Sequence, residues 1–480
     1  MRRLAIVLVL SLATSIAWAG SRARYGGELR LVSSSLPASM DPAQLATPIE
    51  VAVARQVFAT LLSVDADGTL VPELAVAVPE PEAAGKLFRI RLRPGLKFHD
   101  GNPLTAQDVV ASLARLDDPA TGSPFAALAL PLVGATEPGR ASGLSATGEL
   151  ELQASLAFSY PDWPRALAHP AAAPLPGGKF NGRPIGAGPL LLSGSPSGAE
   201  LRLQAFPECA AGRAFVDTVR LSVADARSAA RAFSLGEADV VLGTADKKAA
   251  EGPALFATYL AVNTRRLGAK APAVRQAVEA SVDVADLAKF FVRGATPLHG
   301  LLPSALESAA TAAAKRPARP TLPAGLQLVL LCDESADEQR AVADRLQVKL
   351  HDFGVAVQVR RLPRAAYREA LGSGAYDLAL TGFALLPEPG MALAQLVAFA
   401  QGRDAARELL KVVGAGSDLA ARRAAATSQA TALRAKLDLL PLYVQVPRVL
   451  VRPGVVPVAV DGCGAPLLSD AWFEARPSPK

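Results

Sequence analysis

The amino-acid sequence predicts an α/β protein of more than one domain, and two strand–helix–strand units carry that prediction. The first is AFVDTVRLSVADARSAARAFSLGEADVVLG, residues 214–243, and the second is LQLVLLCDESADEQRAVADRLQVKLHDFGVAVQVRRL, residues 326–362. In each unit an apolar strand-like run precedes a helical pattern and a second strand, which predicts parallel pairing. A chain of 480 residues is long enough for two or more such domains.

The first twenty residues predict an exported protein. Two arginines precede the apolar stretch Leu4 to Ala17, and Ala17-Trp18-Ala19 has the small-residue pattern of a signal-peptide cleavage site. We expect a signal peptide over residues 1–19, cleaved after about Ala19. Gly20 stands where a lipoprotein has cysteine, so no lipobox is present and we expect a periplasmic protein.

Charge and cysteine content limit the function classes. The net charge of +6 comes from scattered basic residues, which argues against a nucleic-acid partner. Cys209, Cys332 and Cys463 lie far apart and form no redox or zinc spacing. Two alternatives stay open for them: one disulfide with one free thiol, or three separate core residues.

The N-terminal elements follow from alternation and turn chemistry. A strand is predicted at Glu28 to Val32, followed by a loop to Pro42, and a helix is predicted at Ile49 to Leu62. Asp65 to Gly68 has a hairpin-turn composition, and Leu87 to Phe98 alternates as a half-exposed strand pair.

The stretch LRPGLKFHDGNPLTAQDVVASLARL, residues 92–116, places His99 beside Asp100 in a turn before a helix. Asp100 to Pro103 is rich in turn formers, and Thr105 followed by Asp108 resembles a capping pair. The pattern favours an architectural turn and helix start over the beginning of an active site.

The middle of the chain gives three further expectations. Residues 149–158 alternate as a strand, and Gly186 and Gly188 indicate a tight turn into another. The segment Ala305 to Gly325 is rich in Ala, Pro, Lys and Arg and is interpreted as a surface linker. A helix and a strand follow the second unit in AAYREALGSGAYDLALTGFAL, residues 365–385.

These segments resemble a known family. They resemble, in the same order along the chain, the motifs of the extracytoplasmic solute-binding proteins for peptide, opine and nickel uptake. The segments are GGELRLVSSSLPASMDP, residues 92–113, IGAGPLLL, the first unit, YLAVNTRR, VRQAVEASVDVADLA and AAYREALGSGAYDLALTGF. Those proteins are receptors of ABC importers, and the resemblance covers nearly the whole mature chain.

The resemblance implies a two-lobed periplasmic-binding-protein fold of type II, of the large class with an extra subdomain, and a hinge between the lobes. The implied first lobe combines residues 20–44, 184–257 and 443–480, and the implied inserted subdomain is 45–183. The implied second lobe is 258–442, and a ligand cleft lies between the lobes.

The resemblance also implies where ligand contacts lie. The first lobe would contribute the loop Ser35, Leu36 and Pro37, and the hinge region would contribute Tyr259, Asn263 and Thr264. The second lobe would contribute the strand end, which comprises Phe383, Ala384, Leu385, Leu386 and Glu388. As alternatives, Tyr259 and Phe383 suit core aromatic residues, and Asn263 with Thr264 suits a cap.

One position departs from the family pattern. In peptide-binding members an aspartate that pairs with the ligand's free amine stands where this chain has Leu386. Glu388 is the nearest acidic residue that could replace it, although prolines flank it on both sides. The departure predicts that a free peptide amine is poorly accepted at this point.

The function implied is a receptor that captures a peptide or another small molecule between two closing lobes and passes it to an ABC permease in the inner membrane. The alternative is a sensor or chaperone derived from the family. No catalytic or metal-binding residue is predicted, because the four histidines show no HExxH spacing and no GxSxG motif is present. We expect no cofactor, no enzymatic activity and a monomer.

Overall fold

The computed structural model describes residues 23–194, 198–307, 317–323, 325–456 and 458–474. The predicted signal peptide and the middle of the predicted linker lie outside these ranges. Two mixed β-sheets, one in each lobe, form the framework. The described helices are Pro48–Val57, Ala106–Asp117, Trp163–Ala166, Ala226–Ser234, Thr264–Leu267, Ala271–Ser281, Val284–Phe290, Asp337–Asp352, Arg364–Ser373, Pro389–Gln401, Arg403–Gly414 and Leu419–Leu433.

The first sheet is built from separate parts of the chain. From edge to edge its strands are Ala250–Glu251, Arg448–Val451, Val240–Leu242, Glu28–Ser33, Thr218–Val223, Glu200–Ala205 and Leu190–Leu192. The strand Glu28–Ser33 is parallel to both strands of the first predicted unit and lies between them. The predicted parallel arrangement is therefore confirmed, with a third strand inserted in the middle.

The second sheet contains the second predicted unit. Its strands, in spatial order, are Ala295–Pro297, Leu439–Gln445, Phe256–Val262, Leu378–Ala384, Gln327–Asp333 and Ala356–Leu362. Gln327–Asp333 pairs in parallel with Ala356–Leu362 and with Leu378–Ala384, as the sequence predicts. The helix Asp337–Asp352 connects Gln327–Asp333 to its parallel neighbour Ala356–Leu362, which fits the strand–helix–strand rule.

Two chain segments cross between the sheets. Residues 252–255 lead into Phe256–Val262, and residues 446–447 lead from Leu439–Gln445 to Arg448–Val451. The crossings lie side by side, because the Gly252 N–H donates to the Pro447 carbonyl at 2.8 Å. Such paired crossings are where one lobe can rotate against the other.

Residues 58–185, here called the inserted region, form a smaller unit with its own sheets. The strands Leu87–Arg91, Glu151–Ser155 and Leu144–Ala146 form one sheet, and Leu62–Val64 pairs with Leu70–Pro72 in the predicted hairpin. Its core includes Trp163, Phe88 and Phe125, all fully buried.

Two predicted boundaries are wrong. The first helix ends at Val57 rather than Leu62, because the chain turns extended at Phe58 and Gly186 and Gly188 pack against the Val57 carbonyl. A Cβ on Gly186 would lie 2.1 Å from that oxygen. The strand predicted to reach Phe98 ends at Arg91, because a turn with Gly95 at φ +75° follows.

His99 is a structural residue of the turn, as predicted. Its Nδ1 accepts from the Gly186 N–H at 3.3 Å, and its Nε2 lies 3.0 Å from the Gly188 carbonyl. Burial lowers its pKa. Thr105 and Asp108 form the predicted capping box of the helix Ala106–Asp117.

The three cysteines are free and buried in the structure, which corresponds to the second of the two alternatives. Within the described residues, no helix is both long and apolar enough to cross a membrane.

One set of helices joins the two lobes. The helices Pro389–Gln401, Arg403–Gly414 and Leu419–Leu433 share one hydrophobic core with the inserted region and with one face of the second sheet, which includes Tyr259 and Phe383. The opposite face of that sheet packs in a separate core. A Cβ on Gly390 would lie 2.1 Å from the Tyr160 hydroxyl, and one on Gly414 would lie 2.3 Å from the Ser159 carbonyl. A side chain would therefore clash with the Tyr160 hydroxyl at Gly390 and with the Ser159 backbone at Gly414.

Candidate functional site

A cavity of about 1080 Å³, here called the first cavity, lies between the lobes. Ala46 and Thr47 line it beside the first sheet, and residues 116–124 line it from the inserted region. Thr258, Gly382 and Phe383 line it from the second sheet. Because residues from both sides of the cleft share this wall, a ligand that fills the cavity contacts both lobes.

A second cavity of about 940 Å³ lies nearer the crossings. Residues 33–36, 224–226 and 241–246 line it on one side, where the parallel strands of the first sheet end. Phe291 to Arg293 and Ser335 line it from the other lobe. The carboxyl ends of parallel strands are the usual place for ligands in open α/β sheets.

Arg364 lines both cavities, as do Thr47, Glu338 and Gln445. Its guanidinium lies 3.3 Å from Glu50 Oε1 in the first helix and forms an ion pair with Asp333 at the end of a second-lobe strand. All three side chains are buried or nearly so. The triad therefore links the lobes electrostatically, and buried ion pairs of this kind are strongly coupled.

Glu50 also fixes the loop that faces the second lobe. Its Oε2 accepts from the Ala46 N–H at 2.7 Å and from the Thr47 N–H at 3.1 Å, and Thr47 completes the capping box. One turn after Arg364, Arg368 donates to the Gln44 carbonyl at 3.1 Å. Two arginines of one helix thus hold residues 44–50 of the facing lobe.

Three of the predicted site residues line the first cavity, namely Asn263, Thr264 and Phe383. The Asn263 amide donates to the carbonyls of Gly374 and Tyr376, and the Thr264 hydroxyl donates to Asp438 at 2.9 Å. Their polar atoms are already engaged within their own lobe. The Phe383 ring supplies apolar surface to the wall.

The predicted loop contacts fall in the other cavity. Ser35 and Leu36 line the second cavity, whereas Pro37 lines neither cavity. The loop therefore does not meet Phe383 in one pocket.

The remaining predicted residues are buried and line neither cavity; they are Tyr259, Ala384, Leu385, Leu386 and Glu388. The Tyr259 hydroxyl donates to the Leu301 carbonyl at 2.5 Å. The Leu386 N–H donates to Gln395 Oε1 at 2.9 Å, while Gln395 itself lines the first cavity. Leu386 therefore lies behind the wall that Gln395 forms.

Glu388 is the N-cap of the helix Pro389–Gln401. Its carboxylate accepts from the Met391 N–H at 2.7 Å, from the Gly390 N–H at 3.1 Å and from the Tyr160 hydroxyl at 2.6 Å. Burial raises the pKa of this carboxyl, and the three hydrogen bonds oppose that rise. The side chain joins the helix to the inserted region.

Sequence reasoning missed the first-lobe wall and the arginines of the first cavity. The pattern Thr47-Pro48-Ile49-Glu50 is a readable capping box, and it marks the loop that the second lobe contacts. Arg364 and Arg368 are spaced i,i+4 directly after a strand, so both lie on one helix face at the strand's carboxyl end. Neither signal alone indicates a ligand site.

No metal centre is formed by the described part of the chain, where no three His, Cys, Asp or Glu side chains come together to hold an ion.

Comparison with known proteins agrees with this architecture. Residues 69–402 match the model of bacterial extracellular solute-binding proteins, family 5 Middle. The chain is 41% identical over 90 residues to the periplasmic murein peptide-binding protein MppA of Escherichia coli, covering 19% of this chain and 16% of MppA. It is 31% identical over 146 residues to the oligopeptide-binding protein OppA of the same organism, covering 29% and 26%. The matched stretches thus span less than a third of each relative.

Solved structures agree along nearly the whole chain. The E. coli MppA structure superposes with a TM-score of 0.75 at 19% identity, covering 93% of this chain and 98% of that one. Haemophilus influenzae OppA in complex with RPPGFSPFR gives 0.76 at 17%, covering 95% and 100%. The two-lobed fold expected from the sequence is confirmed, and the chain belongs to the bacterial extracellular solute-binding proteins of family 5.

Proposed function

We propose that this protein is a periplasmic receptor that captures a small peptide-like or related solute between its lobes and delivers it to an ABC importer. The observation that carries the proposal is the first cavity, whose wall is shared by residues 46–47 and 116–124 on one side and by the second lobe on the other. The names of relatives, which include peptide-binding proteins, support the solute class.

The mechanism is a two-state closure. A ligand that contacts Thr47, the inserted region and Phe383 together favours the closed form by the free energy of contacts that the open form lacks. The described structure supports a closed form, because Arg364 and Arg368 reach residues of the facing lobe. The permease would then recognise the closed shape.

The proposed division places most of each large sheet in one lobe, with its boundaries inside the strands Phe256–Val262 and Leu439–Gln445. The first lobe combines residues 20–44, 184–257 and 443–480, the inserted subdomain is 45–183, and the second lobe is 258–442. The membership of Glu28–Ser33 and Arg448–Val451 in one sheet supports this division. Export by a signal peptide cleaved after about Ala19, monomeric state and lack of enzymatic activity belong to the same proposal.

Asn263, Thr264 and Phe383 are proposed contacts in the first cavity, and Ser35 and Leu36 in the second. Pro37, Tyr259, Ala384, Leu385, Leu386 and Glu388 are proposed to act through packing instead. Glu388 is held by Tyr160 and by its own helix, so it is a poor candidate for the missing amine partner.

The proposal is tested by native expression, gentle purification and mass spectrometry of the small molecules released on denaturation. We expect a stoichiometric solute that rebinds to stripped protein with micromolar or tighter affinity in calorimetry. A stripped protein that binds neither the released fraction nor any member of a peptide library would contradict the proposed function.

A further inference from the structure

We propose that the first cavity recognises an anionic group of its ligand, a carboxylate in a peptide-like solute, and that Arg368 is the residue that binds it. This inference rests on the proposed function, since it names the chemistry of the ligand that the closing lobes would hold. It is carried by the hydrogen bonds of Arg368 and by the ion pairs of the other charged residues in the same wall.

Most N–H donors of the Arg368 guanidinium have no acceptor among the described residues. It lies in the helix Arg364–Ser373 and lines the first cavity. Its only hydrogen bond within the described residues goes to the Gln44 carbonyl at 3.1 Å, and no described carboxylate lies within ion-pair distance. A guanidinium carries five N–H donors in a planar fork that matches a carboxylate.

The other buried or half-buried cations of the wall are already neutralised. Arg364 pairs with Glu50 and Asp333, and Arg403 lies 2.6 Å from Asp117. Arg266 is exposed and lies 2.9 Å from Asp377. Arg265 has no such pair within the described residues, but it is exposed at the mouth, where water solvates it. Arg368 is therefore the partly buried cation that gains most from an incoming anion.

The surroundings of Arg368 increase this gain. Burial is the main cause that lowers its pKa, and the neighbouring Arg364 adds to the effect. Glu50, Asp333 and Asp41 act in the opposite direction, but each of these carboxylates is already paired with another arginine. A bidentate ligand carboxylate would give Arg368 a direct ion pair and two hydrogen bonds.

The same wall offers no buried carboxylate to a ligand amine. Asp117 and Asp333, its two buried acids, are held by arginines. Asp118 and Glu369 are exposed at the mouth. Asp438 and Glu338 are half-buried and have partners of their own. The wall is thus built to accept an anion rather than an ammonium group.

The test uses two pools of tripeptides of identical side-chain content. One pool is N-acetylated and keeps only its terminal carboxylate; the other is C-amidated and keeps only its terminal amine. Side chains are limited to uncharged types. Ligand-stripped full-length protein is incubated with each pool, and mass spectrometry identifies the peptides retained. The affinities of retained peptides are then measured by calorimetry.

We expect members of the N-acetylated pool to be retained and the amidated pool to be excluded. Arg368→Gln should weaken the retained peptides about tenfold or more, and Arg368→Lys should lose less because it keeps the charge. The matched control Arg266→Gln, a paired cation of the same wall, should change affinity less than threefold.

Retention of the amidated pool, or equal loss in Arg368→Gln and Arg266→Gln, overturns the inference and leaves the proposed function intact. Retention of neither pool, with no binding of the co-purified fraction, overturns both. Arg368→Lys keeps the test decisive should Arg368→Gln unfold, because lysine keeps the charge but cannot bind a carboxylate through two parallel N–H donors, so a measurable loss of affinity is still expected.

Discussion

His169 begins a short 3₁₀ helix, where its Nδ1 accepts from the Ala171 N–H at 3.1 Å and its ring packs 4.7 Å from Phe125. Burial lowers its pKa from 6.5 to about 3. The unfolded chain therefore binds a proton between these values that the folded chain does not. By linkage, this residue makes the free energy of unfolding fall as pH drops below about 6.5.

We predict that His169→Asn removes this dependence, because asparagine can keep the capping acceptor but does not titrate. The difference in unfolding free energy between wild type and variant should shift by about 2 kcal/mol between pH 7 and pH 5, to the disadvantage of wild type. Urea unfolding at both pH values measures it. An unchanged difference would show that His169 is protonated in the folded state.

We also predict that His99→Ala lowers stability by about 1–2 kcal/mol, because it removes two hydrogen bonds to the glycine turn and the edge contact with Phe206. Ligand affinity should stay within a few-fold of wild type, since His99 lines neither cavity. Calorimetry and urea unfolding together decide the point. Lost binding with unchanged stability would make His99 functional.

At the scale of elements, Glu388 caps the N-terminus of the helix Pro389–Gln401, and the Tyr160 hydroxyl donates a hydrogen bond to the Glu388 carboxylate. We predict that Tyr160→Phe costs about 1–3 kcal/mol, because a buried carboxylate loses its 2.6 Å donor. Hydrogen exchange should speed up in residues 389–401. The control Tyr25→Phe, at an exposed ring, should change neither quantity. If Tyr160→Phe and Tyr25→Phe had equal effects, the hydrogen bond from Tyr160 to Glu388 would not stabilise this helix.

The helix Arg364–Ser373 contacts the facing lobe through Arg364 and Arg368, and Arg364 lines both cavities. We predict that Arg364→Ala lowers stability by about 3–5 kcal/mol, because Glu50 and Asp333 are left buried without their cation. It should also join the two cavities and improve binding of longer peptides relative to tripeptides. Fluorescence titration with a length series measures that ratio. A ratio equal to that of wild type would mean that the triad does not restrict ligand length.

Sequence predicts elements here better than it predicts the site. The two strand–helix–strand units and the Asp65–Gly68 hairpin follow from local alternation and turn chemistry. The end of the first helix does not, because Gly186 and Gly188, far along the chain, determine it. Glu388 looks like a free acid in sequence, yet Tyr160, 228 residues away, binds it. Ala46, Thr47 and Arg368 lie far apart in the sequence and line the first cavity together only because the two lobes face each other in the fold.

For the whole molecule, the sheets, the paired crossings and the shared cavity support the proposal that two lobes close over a solute. Under that proposal, the contacts of Arg364 and Arg368 across the cleft, and those of the helices after Pro389 with the inserted region, stabilise the closed form. The account therefore predicts that the empty protein spends more time open than the loaded one.

The most direct test is a distance between the lobes. Spin labels at Arg227→Cys and Glu334→Cys, both exposed beside the second cavity and in different lobes, report closure, while the three native cysteines are buried. Stripped protein is measured by pulsed electron spin resonance with and without its co-purified solute. The account predicts a shorter and narrower distance distribution with solute. Identical distributions, despite saturating solute, would contradict closure as the mechanism.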